Sequence, residues 1–312
     1  MSENNKTSEN NKTVVLLDGS MGQELVNRSG KKPTSLWATQ ALIDDPPLVR
    51  GLHEDYLKAG ARVLTVNTYS CTPERLAYAE IEDQFETLQR VALDVACEAR
   101  ENLGLVSDVS IAGCLPPLVG SYKPENSPDY QTSLDTYRKV VEIQQDRVDC
   151  FLCETISSIT DARAVVTAAS ESGKPVWAAL SVSDDNPECI RSGESLADAQ
   201  TALSELGVAR QLLNCSRPES IDAVFEAFAS RSNFSGAYAN GFSSIKELQP
   251  GGTVENLQAR DDLDSKAYAE FAMKWVAEGA QLVGGCCEVG PQHISYLSQA
   301  LLDDGYTISK GI

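Results

Sequence analysis

Histidine is almost missing from this chain: there are two in 312 residues. Metal-dependent hydrolytic sites generally draw on histidine and carboxylate ligands, so that class of enzyme is disfavoured from the start. Basic residues are also scarce. Lys plus Arg number 26 against 45 Asp plus Glu, a net charge of −19, which argues against nucleic acid or an anionic membrane as a partner. No apolar run approaches the ~20 residues of a membrane span, and the N-terminus lacks the charged-then-apolar pattern of a secretory signal. Cysteine, by contrast, is plentiful. There are nine, an odd number, scattered through apolar stretches rather than loops. That usage predicts free thiols in a reducing cytoplasm rather than a disulfide framework.

Residues 2–13 are one polar hexapeptide written twice, Ser-Glu-Asn-Asn-Lys-Thr. It has nothing to bury, so a disordered tail is expected over 1–13, with a single folded domain over 14–312. Within that domain eight short apolar runs stand out, at 14–18, 62–68, 109–113, 150–154, 176–181, 211–215, 236–240 and 281–286. Amphipathic stretches of helical length separate them, among them 47–59, 82–102, 134–148, 195–206, 221–229 and 265–278. Asp161 and Ser195 are candidate helix N-caps, and Gly60, Gly104, Gly173, Gly207 and Gly279 stand where helices should stop. Eight alternating strand–helix units predict an α/β fold of the (β/α)8 TIM-barrel type, in which functional groups gather at the C-terminal ends of the strands. Those ends collect Asp18, Asn67-Thr68, Gly113-Cys114, Glu154-Thr155, Ser181, Asn214-Cys215, Asn240 and Cys286-Cys287.

Three of these thiols are candidates for a metal centre. Cys215 ends the sixth run, and Cys286 and Cys287 follow the eighth, so they can converge across a barrel mouth. Neighbouring residues in a strand face opposite ways, so Cys286 and Cys287 can share an ion only if the chain turns there. Gly284 and Gly285 allow a turn and a close approach. Soft thiolates suit Zn2+, and three protein ligands would leave a fourth position open. The alternative is three ordinary buried cysteines. Cys150 and Cys153 form a Cys-x-x-Cys inside an apolar run, where their side chains should point to opposite faces, and are read as core. His53 lies mid-helix; His293, beside Pro291, is read as a cap or supporting residue. Asp18, followed by Gly19, fits a turn. Glu154 is harder to explain by packing, since Glu is rarely buried unpaired; together the two carboxylates could hold an ammonium group.

Asp18-Gly19-Ser20-Met21-Gly22, Asn67-Thr68-Tyr69, Cys153-Glu154-Thr155, Asn214-Cys215 and Gly284-Gly285-Cys286-Cys287 with Pro291 and His293-Ile294 together resemble the homocysteine S-methyltransferase family. The similarity runs from about Val14 to about Leu301, and the paired-cysteine motif is its most specific part. The resemblance implies a barrel in which Zn2+, held by Cys215, Cys286 and Cys287, binds the thiol of homocysteine. It also implies that Glu154 and the Asp18-Gly19 segment hold the amino-acid end, with Asn67, Thr68 and Asn240 further substrate-binding positions. Gln23, Glu288 and the Tyr238-Ala239-Asn240-Gly241 stretch depart from common family patterns and bear on the methyl donor. The chain offers no room for folate, cobalamin or oligomer-extension segments, so a sulfonium donor, S-methylmethionine or S-adenosylmethionine, is expected, with betaine or dimethylsulfoniopropionate as the other option. A non-catalytic barrel with structural zinc would need a fourth protein ligand, for which His293 and Cys114 are the candidates. The oligomeric state is left open by the sequence.

Overall fold

In the computed structural model, which describes residues 12–228 and 234–312, nine parallel strands form one curled sheet with helices packed around it. The strands are β1 (Thr13–Leu16), β2 (Val63–Thr65), β3 (Ser110–Leu115), β4 (Cys150–Ile156), β5 (Val176–Leu180), β6 (Arg210–Asn214), β7 (Phe234–Tyr238), β8 (Leu282–Val283) and β9 (Thr307–Ser309), in spatial order β2-β3-β4-β5-β6-β7-β8-β1-β9. The eight apolar runs of the sequence each contain or overlap one of the first eight strands. The ninth was not anticipated, because Thr307–Ser309 is only three residues long and partly exposed.

β9 also explains how the sheet curls. Its residues 307–309 pair with 13–15 of β1, while β1 reaches β2 only one step later, through the isolated parallel bridge Leu17–Val63. Two backbone bonds flank that bridge, Arg62 N to Leu16 O (2.8 Å) and Asp18 N to Val63 O (3.1 Å). The sheet is thus consistent with the expected TIM barrel but is not fully closed: β2 and β9 are its two ends, and β1 touches β2 at one bridge only. The first strand begins one residue before the expected boundary at residue 14. Thr13 already belongs to β1, and Lys12 O accepts from Thr307 N at 2.7 Å; residues 1–11 lie outside the described residues.

Strand alternation sorts side chains into two cores. Val15, Leu17, Val63, Ala112, Cys150, Leu152, Trp177, Ala179, Leu212, Tyr238 and Leu282 fill the interior. Val14, Leu16, Leu64, Ile111, Phe151, Cys153, Ala178 and Leu213 face the helices. Cys150 and Cys153 thus lie on opposite faces, both buried and unpaired, as their spacing predicts. The helices match the amphipathic stretches with shifted ends. The stretch expected at 134–148 is Tyr130–Gln144, because Asp129 caps it by accepting from Gln131 N and Thr132 N. Ser195 caps Leu196–Glu205 as expected. Asp161 does not cap: Ser158 does, accepting from Asp161 N at 3.1 Å, and Asp161 sits in the first turn. The five expected helix-ending glycines all have positive φ.

Candidate metal and substrate site

β6 delivers Cys215 to the C-terminal mouth in a left-handed backbone conformation, φ 50°, uncommon for a side chain with a Cβ. The turn is held by Cys215 N to Tyr238 O (3.1 Å) and by Asn240 Nδ2 to Cys215 O (2.9 Å). β8 stops at Val283, and the chain turns at once, with Val289 N donating to Cys286 O at 3.1 Å and Glu288 at φ 64°. Gly284 and Gly285 serve close approach rather than unusual φ. A Cβ at Gly284 would lie 2.5 Å from Leu17 Cβ, and one at Gly285 would lie 2.3 Å from Val289 Cγ1. This turn frees adjacent residues from opposite faces, and the Sγ atoms of Cys215, Cys286 and Cys287 come within 4.8 Å of one another.

The thiols share protons unequally. Burial pushes the Cys215 thiol up, but hydrogen bonds from Cys286, Cys287 and the Tyr122 hydroxyl (2.9 Å) bring it well below its usual value. Cys286 and Cys287 are correspondingly raised, chiefly by their bonds to Cys215. Tetrahedral zinc with Zn–S near 2.3 Å would set sulfurs about 3.8 Å apart. The cluster fits such an ion with little movement, and its all-sulfur donor set is of the kind that suits zinc. Neither candidate fourth ligand joins it. Cys114 Sγ donates to Glu154 Oε1 at 3.1 Å, while His293 is engaged by Gly290 N and Leu263 O.

The cysteines floor a cavity walled by Asp18, Gly19, Asn67 and Glu154, together with Trp37, Tyr69, Tyr122 and Phe242. Asp18 is buried and accepts from Thr65 N (2.7 Å) and Thr65 Oγ1 (3.0 Å); burial pushes its carboxyl up to about 7. Glu154 is pushed up to about 8, again mainly by burial, and also accepts from the Tyr238 hydroxyl at 3.4 Å. Neither carboxylate has a cationic partner within 4.0 Å among the described residues. Thr68 and Asn240, also expected at the substrate, are not among the residues that line the cavity. Both are fully buried behind the wall, Thr68 Oγ1 donating to Cys114 O and Asn240 bracing the Cys215 turn. Gln23 and Glu288 form a chain to the wall, Gln23 Nε2 to Glu288 Oε1 (2.8 Å) and Trp37 Nε1 to Gln23 Oε1 (3.0 Å).

The aromatic walls were not read from the sequence, Tyr69 apart, which the Asn-Thr-Tyr motif contains. Trp37 and Tyr122 both have positive φ and belong to loops with no periodicity to report their direction.

Residues 15–301 match the protein family described as homocysteine S-methyltransferase. Among curated relatives, homocysteine S-methyltransferase YbgG of Bacillus subtilis is 26% identical over 303 residues, spanning 91% of this chain and 93% of that one. The homocysteine S-methyltransferase of Escherichia coli is 25% identical over 324 residues, spanning 95% and 99%. The crystal structure of the homocysteine methyltransferase MmuM from Escherichia coli, metallated form, matches with a TM-score of 0.76 at 25% identity, over 93% of this chain and 97% of that chain.

Proposed function

The chain belongs to the homocysteine S-methyltransferase family, and on that premise we propose that it forms methionine by moving a methyl group from a sulfonium donor to homocysteine, at a Zn2+ held by Cys215, Cys286 and Cys287. The observation that carries this reading is the charge pattern of one cavity. Three clustered thiols and two buried carboxylates face it, without cationic partners for the carboxylates among the described residues. Such groups are costly to ionise alone. A divalent ion and an α-ammonium would neutralise both sets.

When bound, zinc would supply the positive charge that favours the thiolate form of a substrate thiol near neutral pH. The remaining work falls to the chain. Glu154, oriented by Cys114 and Tyr238, accepts the homocysteine ammonium, with Asp18 adding negative charge nearby. Gly19 and Asn67 line the same cavity. Thr68 and Asn240 act through the wall, shaping β3 and the Cys215 turn. Tyr122 donates to Cys215 Sγ and so tempers that sulfur. Methyl transfer needs little proton chemistry once the acceptor is a thiolate, so the protein's task is to align sulfur, methyl and leaving group. A site with no histidine in its lining suits that task.

The walls support an onium donor. Trp37 and Tyr69 meet edge to face at 5.9 Å, and Tyr122 and Phe242 complete an aromatic surround. Such faces favour a fixed cation, and the acidic interior does the same. S-methylmethionine and S-adenosylmethionine meet both conditions and are the donors we favour; betaine and dimethylsulfoniopropionate, which are also fixed onium cations, are the competitors the donor panel must separate from them. We place the enzyme in the cytoplasm, where its nine free thiols suit a reducing compartment. Among the described residues no helix is long and apolar enough to cross a membrane.

The test is a donor panel. Zinc-loaded protein with homocysteine and no cobalamin is offered each of the four donors, and methionine is quantified by mass spectrometry. Methionine should form from a sulfonium amino acid. Turnover with betaine or dimethylsulfoniopropionate alone would overturn the donor, and none with any donor would overturn the reaction.

A further inference from the structure

Among the described residues lining the cavity, Arg75 is the sole basic side chain. It belongs to the short helix Pro73–Leu76 that follows β2. Its Nε and Nη2 donate to Pro117 O at 3.1 and 3.0 Å, and Nη2 reaches Ser121 Oγ at 3.4 Å. These bonds fix the guanidinium over the Tyr69 ring, 5.2 Å from its centroid. Arg100 and Arg191, similarly embedded, are paired with Asp149 and Asp184. Arg75 has no carboxylate within 4.0 Å among the described residues, and its Nη1 makes no hydrogen bond there. A guanidinium held rigid by neutral acceptors, with one nitrogen edge unused, is prepared for an incoming carboxylate.

The cavity is therefore polar in a directional sense. Its two acids, Asp18 and Glu154, sit at the ends of β1 and β4, beside the cysteines. Its one base sits on the wall formed by the segments after β2 and β3. That wall is covered by the 248–252 segment: a Cβ at Gly120 would meet Pro250 at 2.8 Å, and one at Gly251 would meet Tyr78 at 2.6 Å. Homocysteine, with its sulfur at the cysteines and its ammonium at Glu154, uses the acidic end. Arg75, and the part of the Tyr69 ring its guanidinium does not cover, are left for the second substrate.

We propose that Arg75 anchors the carboxylate of the methyl donor, so that the enzyme selects onium zwitterions over plain onium cations. Tyr69 then contributes on both counts, fixing the guanidinium and offering aromatic surface toward the cationic end. This inference rests on the methyl-transfer reading given above and deepens it, by assigning the residue that holds the carboxylate which all four named donors carry.

The experiment has two arms. The first uses the unaltered, zinc-loaded protein and compares S-methylmethionine with S-methylmethionine amide, which has the same sulfonium but no carboxylate. kcat/KM should fall by about tenfold or more for the amide, the worth of a charge-assisted bond. The second uses Arg75→Gln and Arg75→Lys. The Gln variant should raise the donor KM by about tenfold or more and use the two donors equally well. The Lys variant should fall between, with homocysteine KM and zinc content near the parent's in both. Equal use of amide and acid by the parent would overturn the proposal even if the variants misfold. A rise in homocysteine KM instead of donor KM would also overturn it, by assigning Arg75 to the acceptor. Methionine formed from neither compound, but from another onium donor, moves the same comparison to that donor and its amide, with the same two overturning results. Absence of methionine with every onium donor would remove the underlying reaction, and the proposal with it.

Discussion

Glu154→Gln should weaken homocysteine binding and yet stabilise the empty protein in alkaline solution. The two effects have one cause. Glu154 is buried, and burial pushes its carboxyl from 4.5 up to about 8. A raised acid binds more protons in the folded than in the unfolded chain between those two values, so folding stability must fall as pH rises through that window. For these two values, linkage makes the destabilisation grow by about 3 kcal/mol between pH 5.5 and pH 8.5. Gln keeps the shape and the hydrogen-bonding oxygen but does not ionise. Urea denaturation of the zinc-free protein at the two pH values should show the parent losing about 3 kcal/mol more than Glu154→Gln; Asp18, pushed up to about 7, titrates in both proteins, and its charge is part of what raises Glu154 in the parent. Homocysteine reverses the comparison, because its ammonium needs the charge. Losing a charge-assisted bond costs about 1.5–3 kcal/mol, so the homocysteine KM should rise about 10- to 150-fold. Equal pH dependence of stability in the two proteins, or equal homocysteine KM, would refute the assignment of Glu154 as a buried, unpaired ammonium site.

Two further outcomes follow from the geometry. Cys286→Ala should lose zinc and activity together, whereas Cys150→Ala and Cys153→Ala should retain full zinc, since they lie in separate cores away from the mouth; metal analysis of the purified proteins checks this. Gly284→Ala brings a Cβ to within 2.5 Å of Leu17 Cβ, an overpacking that should cost about 1–3 kcal/mol, read as a lower melting temperature, together with reduced zinc affinity because the cysteine turn must shift.

The alternation of apolar runs and amphipathic stretches was enough to locate eight strands and most helices, since burial imposes those periods directly. Ends were less legible. The helix at Tyr130–Gln144 begins four residues earlier than its apolar pattern, because Asp129, a polar residue outside that pattern, caps it. β9 escaped because it has almost no apolar content to mark it. At the site, Cys215, Cys286, Cys287, Asp18 and Glu154 were visible as chemistry at strand ends. A strand end does not say which way a side chain turns next, however. Thr68 follows Asn67 past the end of β2, Asn240 lies just past β7, and both turn into the wall. Trp37, Tyr122 and Arg75 come from connecting segments, where direction depends on positive-φ turns and on contacts distant in sequence. Arg75 owes its position to Pro117 and Ser121, 42 and 46 residues away, and nothing local to its own sequence announces that.

In the proposed reaction homocysteine sulfur completes a metal shell begun by three cysteines. X-ray absorption at the zinc edge measures this directly. Zinc-loaded protein alone should show three sulfur neighbours at about 2.3 Å with one lighter ligand, and addition of homocysteine should raise the sulfur count to four. A shell unchanged by homocysteine, or one already closed by four protein ligands, would contradict the account and favour a structural ion.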